Sequence, residues 1–427
     1  MNVKNLKILL VCLIALCVTL FIRWMVVLDT KNIHMLKKSD FIGSFKPMLK
    51  KSDFIGSFKQ DSLKDKHVTH AGRNLVQQCH SERQNFVFIK VMKCATESLG
   101  PMFRKFGYDR NLTYVLPVEH MIWIGWPFPL NEYDYRPSRK PYNILIEHSI
   151  YNKTTFRNLM PNNSIYISSL REPFVRFKSA FNCFNLVNLC HMTNKTDPIP
   201  EYLNLVKNVP NYNCTGIFTD WRPHCPKVSF SQTHNEMSHT LGMPLGFPPG
   251  RPNIENDLPA VLDYIQKLDN DFHLIMIVEY FHESLILLKR LMCWTFKDIF
   301  YIKRHVANYP YKKIKPQKAD VEFYQKWNRI EYLLYDHFNK TLWNKISKES
   351  DDFFDEVVAF IKFQEEGEKY CLWKEYKKKG DDIHYFEETI WSPSFNITAV
   401  DCHLLLTDML KHLKDVTVIW NTITAYY

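Results

Sequence analysis

Glycine is scarce in this chain, with 12 among 427 residues, and no stretch fits the G-x-x-x-x-G-K-[ST] loop of Walker nucleotidases. No C-x-x-C pair or Cys–His set has the spacing of a zinc site, so we expect no bound metal. Blocks of like charge are also missing, because the lysines and arginines behind the net charge of +10 are interleaved with acids and aromatics. This distribution argues against a nucleic-acid-binding protein, whereas a positive balance suits an anionic ligand.

Apolar residues are plentiful, at 46% hydrophobic and 15% aromatic, so the chain can bury a large core as one large domain or two small ones. Four short runs look like buried strands, each followed by polar or helical sequence, and together they predict an α/β domain with a parallel sheet. The runs are Asn85–Val91, Tyr142–His148, Ser164–Leu170 and Phe272–Phe281. The later chain reads as mostly helical, over Glu283–Trp294 and Ala319–Ile346.

The N-terminal segment predicts a signal anchor over residues 8–28 behind a short cytoplasmic tail, residues 1–7. Ile8–Ile22 is apolar apart from Thr19, and the run extends to Leu28 across Arg23, which gives the roughly twenty residues that a bilayer span needs. No small-x-small cleavage pattern follows it. Flanking lysines do not settle the orientation, but seven downstream N-x-S/T sequons place the body in the lumen, at Asn111, Asn152, Asn162, Asn194, Asn213, Asn339 and Asn396.

A stem is predicted over residues 29–80. It contains a tandem duplication in which the 13-residue unit Met35–Pro47 is followed at once by Met48–Gln60. One copy of so short a unit cannot build a solenoid, so we interpret it as a spacer between the membrane and a lumenal domain over residues 81–427. Eight of the eleven cysteines lie outside both the anchor and the turn at Cys94. Eight cysteines allow 105 disulfide pairings, and the sequence does not select one of them.

The first stretch that carries chemistry is "FVFIKVMKCATESLGPMF", Phe86–Phe103. It predicts a strand, a turn with Lys90 and Lys93, and a helix that begins near Thr96. A turn at a helix N-terminus presents unpaired backbone N–H groups and the positive end of the helix dipole, which suits a phosphate or sulfate. Lys93 is the leading anion-binding residue, although a lysine after a strand is more often simply solvated.

The second stretch is "SLREPFVRFKSAF", in which a strand delivers Arg171 and Pro173 opens a helix. Ser179 follows two turns later, so an arginine at a strand end and a serine in the next helix could reach one phosphate, with the guanidinium making a bidentate contact. Taken alone, this stretch is better described as an ordinary capped strand–helix junction.

In this order, the two stretches resemble the Golgi membrane-bound carbohydrate sulfotransferases, above all the galactose 3-O-sulfotransferase family. Three further segments match, so that the resemblance runs from about Phe86 to Trp294: Gly107–Pro117, Ile144–Asn152 and Ile277–Trp294. It implies a P-loop-NTPase-like sulfotransferase fold with a central parallel sheet flanked by helices. It also implies 3′-phosphoadenosine 5′-phosphosulfate (PAPS) as co-substrate and a galactose-terminated glycolipid or glycan as acceptor. Whether the chain forms a homodimer stays open.

The resemblance assigns roles to residues of both stretches. In the family, the first stretch binds the 5′-phosphosulfate of PAPS and the R-E-P with its following serine binds the 3′-phosphate, so Arg171 and Ser179 take the latter role here. Lys93 is placed on the bridging oxygen as a catalytic residue, and His148 matches the histidine that is the proposed base in this family and in the uronyl 2-O-sulfotransferases. The phosphosulfate group is assigned to Lys90, Lys93, Cys94, Ala95, Thr96 and Ser98.

Two positions depart from the family pattern. Met92 stands where a histidine is usual, and Glu97 stands where serine or threonine is usual. A glutamate beside a bound phosphosulfate is repulsive unless its side chain points away, and a methionine cannot transfer a proton. Two alternatives therefore stay open: a uronyl 2-O-sulfotransferase acting on glycosaminoglycan, and a non-catalytic homologue that binds PAPS or glycan.

Overall fold

The computed structural model describes residues 81–118, 122–209, 212, 214, 228–304, 307–377, 383–407 and 413. The predicted anchor and stem lie outside these residues. Within the described ranges, no helix has the length and apolar character needed to cross a bilayer.

A four-stranded parallel sheet forms the centre of the domain. Its strands are β1 (Phe86–Ile89), β2 (Ile144–Leu145), β3 (Ile165–Leu170) and β4 (Leu274–Ile277), in the order β2-β1-β3-β4. In register, Phe86 of β1 lies beside Ile144 on one side and Ile165 on the other. The prediction of an α/β domain with a parallel sheet is confirmed, and each of the four predicted runs contributes one strand.

Two predicted strands are shorter in the structure. The run to His148 pairs with β1 at two positions only, where Ile144 lies beside Phe86 and Leu145 beside Val87, although β1 continues to Ile89. His148 instead forms an isolated parallel bridge with Trp123. The run to Phe281 leaves the sheet after Ile277 and continues through a 3-10 turn, Val278–Tyr280.

Twelve helices lie in the part of the chain that the structure describes, and several of them flank the sheet and share its core. They are α1 (Thr96–Asp109), α2 (Lys153–Leu159), α3 (Pro173–Cys183), α4 (Leu186–Leu189), α5 (Ile199–Asn208), α6 (Glu236–Thr240), α7 (Leu258–Asp271), α8 (Phe281–Met292), α9 (Lys318–Trp327), α10 (Arg329–Ile346), α11 (Phe353–Lys377) and α12 (Ala399–Leu406). A small antiparallel pair, β5 (His384–Phe386) and β6 (Phe395–Ile397), packs against α11.

The helical pattern predicted over Ala319–Ile346 is divided in two by Asn328. This residue is fully buried, and its side-chain oxygen accepts a hydrogen bond from the backbone N–H of Asn235 at 2.8 Å. Its backbone leaves helical geometry, so α9 ends and α10 begins there. The apolar periodicity of the sequence survives this break, which is why the pattern alone did not show it.

Aromatic packing holds α1 onto β1. All four residues of β1 are fully buried, and the ring of Phe86 contacts Phe103 and Phe106 of α1 with centroids 5.2 Å and 6.0 Å apart. Trp294, after α8, stacks on Phe106 at 3.9 Å. Burial of such rings contributes on the order of 2 kcal/mol per side chain, so the turn between β1 and α1 is anchored at both ends.

Disulfides join Cys190 to Cys214 and Cys371 to Cys402, and Cys293 is also disulfide-bonded. The structure therefore decides part of the pairing that the sequence left open. Cys94 is a buried free thiol and Cys183 an exposed one.

Candidate active site

The turn from Lys90 to Ala95, here called the lysine loop, keeps its shape without glycine. Lys93 and Ala95 both have left-handed backbone angles, with φ of 65° and 60°. Such angles are uncommon outside glycine and persist where the surroundings fix them. Two hydroxyls of β3 supply part of that constraint, since Ser168 donates to the carbonyl of Ile89 at 2.9 Å and Ser169 to that of Cys94 at 2.8 Å.

A buried carboxylate holds the loop from below. Glu236 of α6 accepts a hydrogen bond from the backbone N–H of Met92 and another from the hydroxyl of Thr240 at 2.9 Å. It also forms an ion pair with Arg176 of α3 at 2.8 Å, and both charged side chains are almost completely buried. Because Arg176 lies between Arg171 and Ser179 in sequence, this pair connects the loop to the helix that carries the second predicted anion site.

The N-terminus of α1 has no side-chain cap. Ala95 occupies the N-cap position and contributes no side-chain hydrogen bond, so the first N–H groups of the helix are not taken by a capping side chain. Lys93, Ala95 and Ser98 are half-exposed beside this end, whereas Thr96 is buried. An uncapped helix end with a lysine beside it suits an anion.

Cys94 and Lys90 lie deeper than the other loop residues. The thiol of Cys94 is fully buried between the carbonyl of Met92 and the sulfur of Met237, and burial raises its pKa, so the thiol is not available to a ligand. The ammonium of Lys90 is 3% exposed and lies 3.6 Å from the carboxylate of Glu97. Burial lowers the pKa of Lys90, while Glu147 and Glu97 act in the opposite direction.

His148 contacts the lysine loop directly. Its Nδ1 lies 2.8 Å from the carbonyl oxygen of Lys90. A carbonyl only accepts, so Nδ1 carries the proton and the lone pair of a neutral ring is on Nε2. The side chain is 3% exposed, and burial together with the charge of Lys90 holds its pKa well below the usual range. His148 is therefore a neutral imidazole at physiological pH, which is the form that a general base requires.

Sequence reasoning missed a buried ion pair at Glu147, the residue before His148. Arg104 of α1 donates from Nε and Nη2 to the carboxylate of Glu147 at 2.9 Å and 2.6 Å, and both side chains are buried. The sequence did carry a signal for this pair, because Arg104 and Glu147 each stand in an otherwise apolar pattern. A charged side chain on a buried face needs an oppositely charged partner.

Arg171 follows β3 and reaches the lysine loop. Its Nη1 donates to the carbonyl of Lys93 at 3.3 Å, and its Nε is buried without a hydrogen-bond partner among the described residues. The structure thus brings Arg171, Lys93 and His148 to the same edge of the sheet. Ser179 lies half-buried in α3 and, within the described ranges, makes no hydrogen bond to Arg171 or to the loop.

The N-terminus of α3 has a side-chain cap, unlike the N-terminus of α1. Glu172 caps it by accepting from the backbone N–H groups of Phe174 at 3.1 Å and Val175 at 2.7 Å. An internal carboxylate therefore occupies this helix end, so anion binding in the segment depends on the side chains of Arg171 and Ser179.

Comparison with known proteins identifies the relatives of this chain. A sequence model described as galactose-3-O-sulfotransferase matches residues 2–395. The chain belongs to the galactose-3-O-sulfotransferase family. It is 27% identical to mouse galactose-3-O-sulfotransferase 3 over 266 residues, which are 61% of this chain and 57% of that protein. It is 29% identical to human galactosylceramide sulfotransferase over 271 residues, which are 62% and 58% of the two chains. The match thus spans somewhat more than half the length of these relatives.

One of the two departures from the pattern of the galactose-3-O-sulfotransferase family is Met92. Its side chain is buried in a small apolar cluster with Trp126, Ile150 and Phe230. Trp123 packs at the rim of this cluster and is half-exposed. Met92 therefore packs in the floor beside the loop and cannot accept a proton, whereas the nearby His148 has a ring nitrogen that can.

Two further features bear on how this family member would hold a donor. The backbone N–H of Arg304 lies 3.4 Å from the hydroxyl of Ser98, which places Arg304 against the first turn of α1. In addition, no three His, Cys, Asp or Glu side chains of the described residues form a group that could hold a metal ion.

Proposed function

We propose that this chain transfers a sulfuryl group from PAPS to a galactose hydroxyl of a glycolipid or glycan, with the 3-hydroxyl as the first candidate. The observation that carries the proposal is the contact between Arg171 and the carbonyl of Lys93, which joins the two predicted cationic pockets at one sheet edge. The names of the family and its relatives support galactose as the acceptor. A P-loop-NTPase-like sulfotransferase fold is part of the same proposal, supported by the parallel sheet.

The residues present fit the two ends of PAPS. The uncapped end of α1, with Lys93, Ala95, Thr96 and Ser98, offers donors to the 5′-phosphosulfate. Arg171 and Ser179 are assigned to the 3′-phosphate. The buried Nε of Arg171, which has no partner in the described residues, is a donor that an anion would satisfy.

The catalytic roles follow from charge and tautomer. PAPS supplies an activated sulfuryl group in an in-line displacement, in which the acceptor oxygen replaces the phosphate oxygen on sulfur. His148 accepts the proton of the acceptor hydroxyl on Nε2, while its Nδ1–H stays on the carbonyl of Lys90. Lys93, three residues after Lys90 in the same loop, neutralises the charge that develops on the departing phosphate.

We also propose that the chain is a single-pass type II Golgi membrane protein with a lumenal catalytic domain. The disulfides Cys190–Cys214 and Cys371–Cys402 support an oxidising compartment. Most of the sequon asparagines that the structure describes are exposed, namely Asn111, Asn152, Asn162, Asn194 and Asn396. Protease protection of the full chain in sealed microsomes, combined with endoglycosidase sensitivity, tests this topology; digestion of the body in intact microsomes would refute it.

The activity is tested with the full chain in detergent and radiolabelled PAPS. Galactosylceramide, lactose and desulfated heparan serve as acceptors, and calorimetric titration with PAP, the donor without its sulfuryl group, gives a separate binding readout. We expect transfer to the two galactosides and a His148→Ala variant that loses about a hundredfold or more in turnover while binding PAP normally. Transfer to heparan alone would identify a uronyl enzyme, PAP binding without transfer would identify a non-catalytic homologue, and absent PAP binding would refute the proposal.

A further inference from the structure

The face of the site beside His148 is aromatic. The ring of Trp123 packs against the imidazole of His148, with centroids 4.9 Å apart and planes inclined by 38°. Its backbone is fixed there as well, since His148 bridges to Trp123 in parallel and the N–H of Ile124 donates to the carbonyl of His148 at 2.7 Å.

The indole of Trp123 also has firm support from below. It stacks on Trp126 with centroids 5.0 Å apart and planes inclined by 23°. Trp126 is fully buried, and its Nε1 donates to the hydroxyl of Thr240 at 3.1 Å. Trp123 remains half-exposed above this support, so its ring is held in place while part of its surface can meet a ligand.

The position of the base restricts where an acceptor can lie. A hydroxyl that gives its proton to Nε2 of His148 must come within about 3 Å of that atom. The sugar ring that carries the hydroxyl then lies next to the imidazole, within reach of Trp123, whose ring packs against that imidazole.

We propose, resting on the proposed sulfotransferase function, that Trp123 is the platform on which the acceptor galactose stacks while its hydroxyl is deprotonated by His148. A galactose ring has one face made mainly of C–H groups, because its 4-hydroxyl is axial and points to the other face. That apolar face suits an indole. The polar edge of the same ring, with its 3-hydroxyl, then projects beyond the indole toward the imidazole.

The chemistry around Trp123 also bears on the choice of acceptor. The cluster below it consists of Met92, Trp126, Ile150 and Phe230, which are hydrocarbon, aromatic or thioether side chains. A uronic acid would bring a carboxylate to this face, where its desolvation would not be repaid by those side chains. The platform therefore favours a neutral galactose over a uronyl acceptor.

The test compares four variants of the full chain: Trp123→Phe, which keeps an aromatic face; Trp123→Leu and Trp123→Ala, which remove it; and Ile122→Ala, the exposed apolar neighbour, as control. With lactose as acceptor, we expect Trp123→Leu and Trp123→Ala to raise KM about tenfold or more, while PAP affinity stays at the wild-type value. Trp123→Phe and Ile122→Ala should stay within about threefold.

A second readout does not need turnover. Saturation-transfer NMR of lactose with the PAP-loaded protein should give a signal for wild type and Trp123→Phe and lose it for Trp123→Leu. The Leu variant keeps the measurement interpretable if truncation to alanine prevents folding. If the wild-type protein sulfates lactose and Trp123→Leu does so with an unchanged KM, the platform is overturned while the proposed sulfotransferase function stands. Wild-type protein that binds PAP but neither binds nor sulfates lactose overturns the galactose assignment first, and the platform with it.

Discussion

The lysine loop and the segment Arg171–Ser179, called here the arginine segment, are two strand–helix junctions at the carboxyl edge of one parallel sheet, but they are built differently. The lysine loop has left-handed residues at Lys93 and Ala95, and its helix begins without a side-chain cap. The arginine segment has a helix end closed by the carboxylate of Glu172. Ligands of open α/β sheets bind outside this edge, so both junctions face the same crevice.

The difference indicates that the two junctions divide the roles of reaction and binding between them. In the lysine loop, backbone N–H groups and an ammonium lie together, which suits the group at which charge develops during reaction. In the arginine segment, the helix end is already satisfied, so the guanidinium of Arg171 supplies the charge, and this suits a phosphate that is held without reacting. Glu236 and Arg176 connect the two junctions through a buried ion pair. Four predictions test this division, from the largest expected effect to the smallest.

Lys93→Ala should reduce turnover by about a hundredfold to a thousandfold, because the ammonium stabilises charge that appears only on the departing phosphate. Sulfate transfer at saturating PAPS measures this change. Lys267→Ala, at an exposed lysine of α7, is the matched control and should leave turnover unchanged. If the only defect of Lys93→Ala were a raised KM for PAPS, Lys93 would act in ground-state binding, and the two junctions would not divide the roles of reaction and binding.

Arg171→Ala should weaken PAP binding by about tenfold to a hundredfold, the usual cost of losing hydrogen bonds to a charged group. Turnover at saturating donor should fall much less than it does in Lys93→Ala. Calorimetric titration with PAP gives the affinity, and Arg251→Ala, at an exposed arginine, is the control. Arg171→Lys should recover only part of the affinity, since lysine keeps the charge but not the bidentate fork.

Glu97→Gln should tighten PAP binding by a few-fold, about two to five. The carboxylate is 45% exposed and paired with Lys90, so removing its charge lowers repulsion toward the phosphosulfate group and frees the ammonium. The comparable change Glu322→Gln, on an exposed face of α9, should have no effect on PAP titration. Weaker binding by Glu97→Gln would show that the carboxylate supports the loop instead of opposing the ligand.

Sulfotransferase activity should change little with pH in the region near pH 6.5, where a free histidine titrates. In the proposed mechanism the base is the neutral form of His148, and burial holds the pKa of His148 below its ordinary value, so activity should be lost only as pH falls through that lowered pKa. We expect kcat/KM to vary by less than about twofold between pH 6.5 and 8. A profile with an acid limb centred near pH 6.5 would show that His148 titrates as an unburied histidine or that another group is the base.

Much of the sheet and of the lysine loop was predictable from local sequence. The apolar runs at Phe86, Ser164 and Phe272 gave three strands, and the residues after the first gave a helix beginning at Thr96, as observed. The lengths of β2 and β4 were less predictable because strand length depends on pairing with a neighbour that lies far away in sequence. The break at Asn328 has the same origin, since the partner of its side chain, Asn235, is 93 residues away.

By itself, the sequence determined the α/β class and the resemblance to sulfotransferases, and it predicted an anion site at the lysine loop, because periodicity, charge and motif order are local properties. Only the tertiary structure decided that Arg171 reaches Lys93, that His148 keeps its proton on Nδ1, and that Trp123 packs beside it. Those facts depend on the burial of Glu236 with Arg176 and of Glu147 with Arg104. A buried charge must find a partner across the fold, and the sequence records the charge but not the partner.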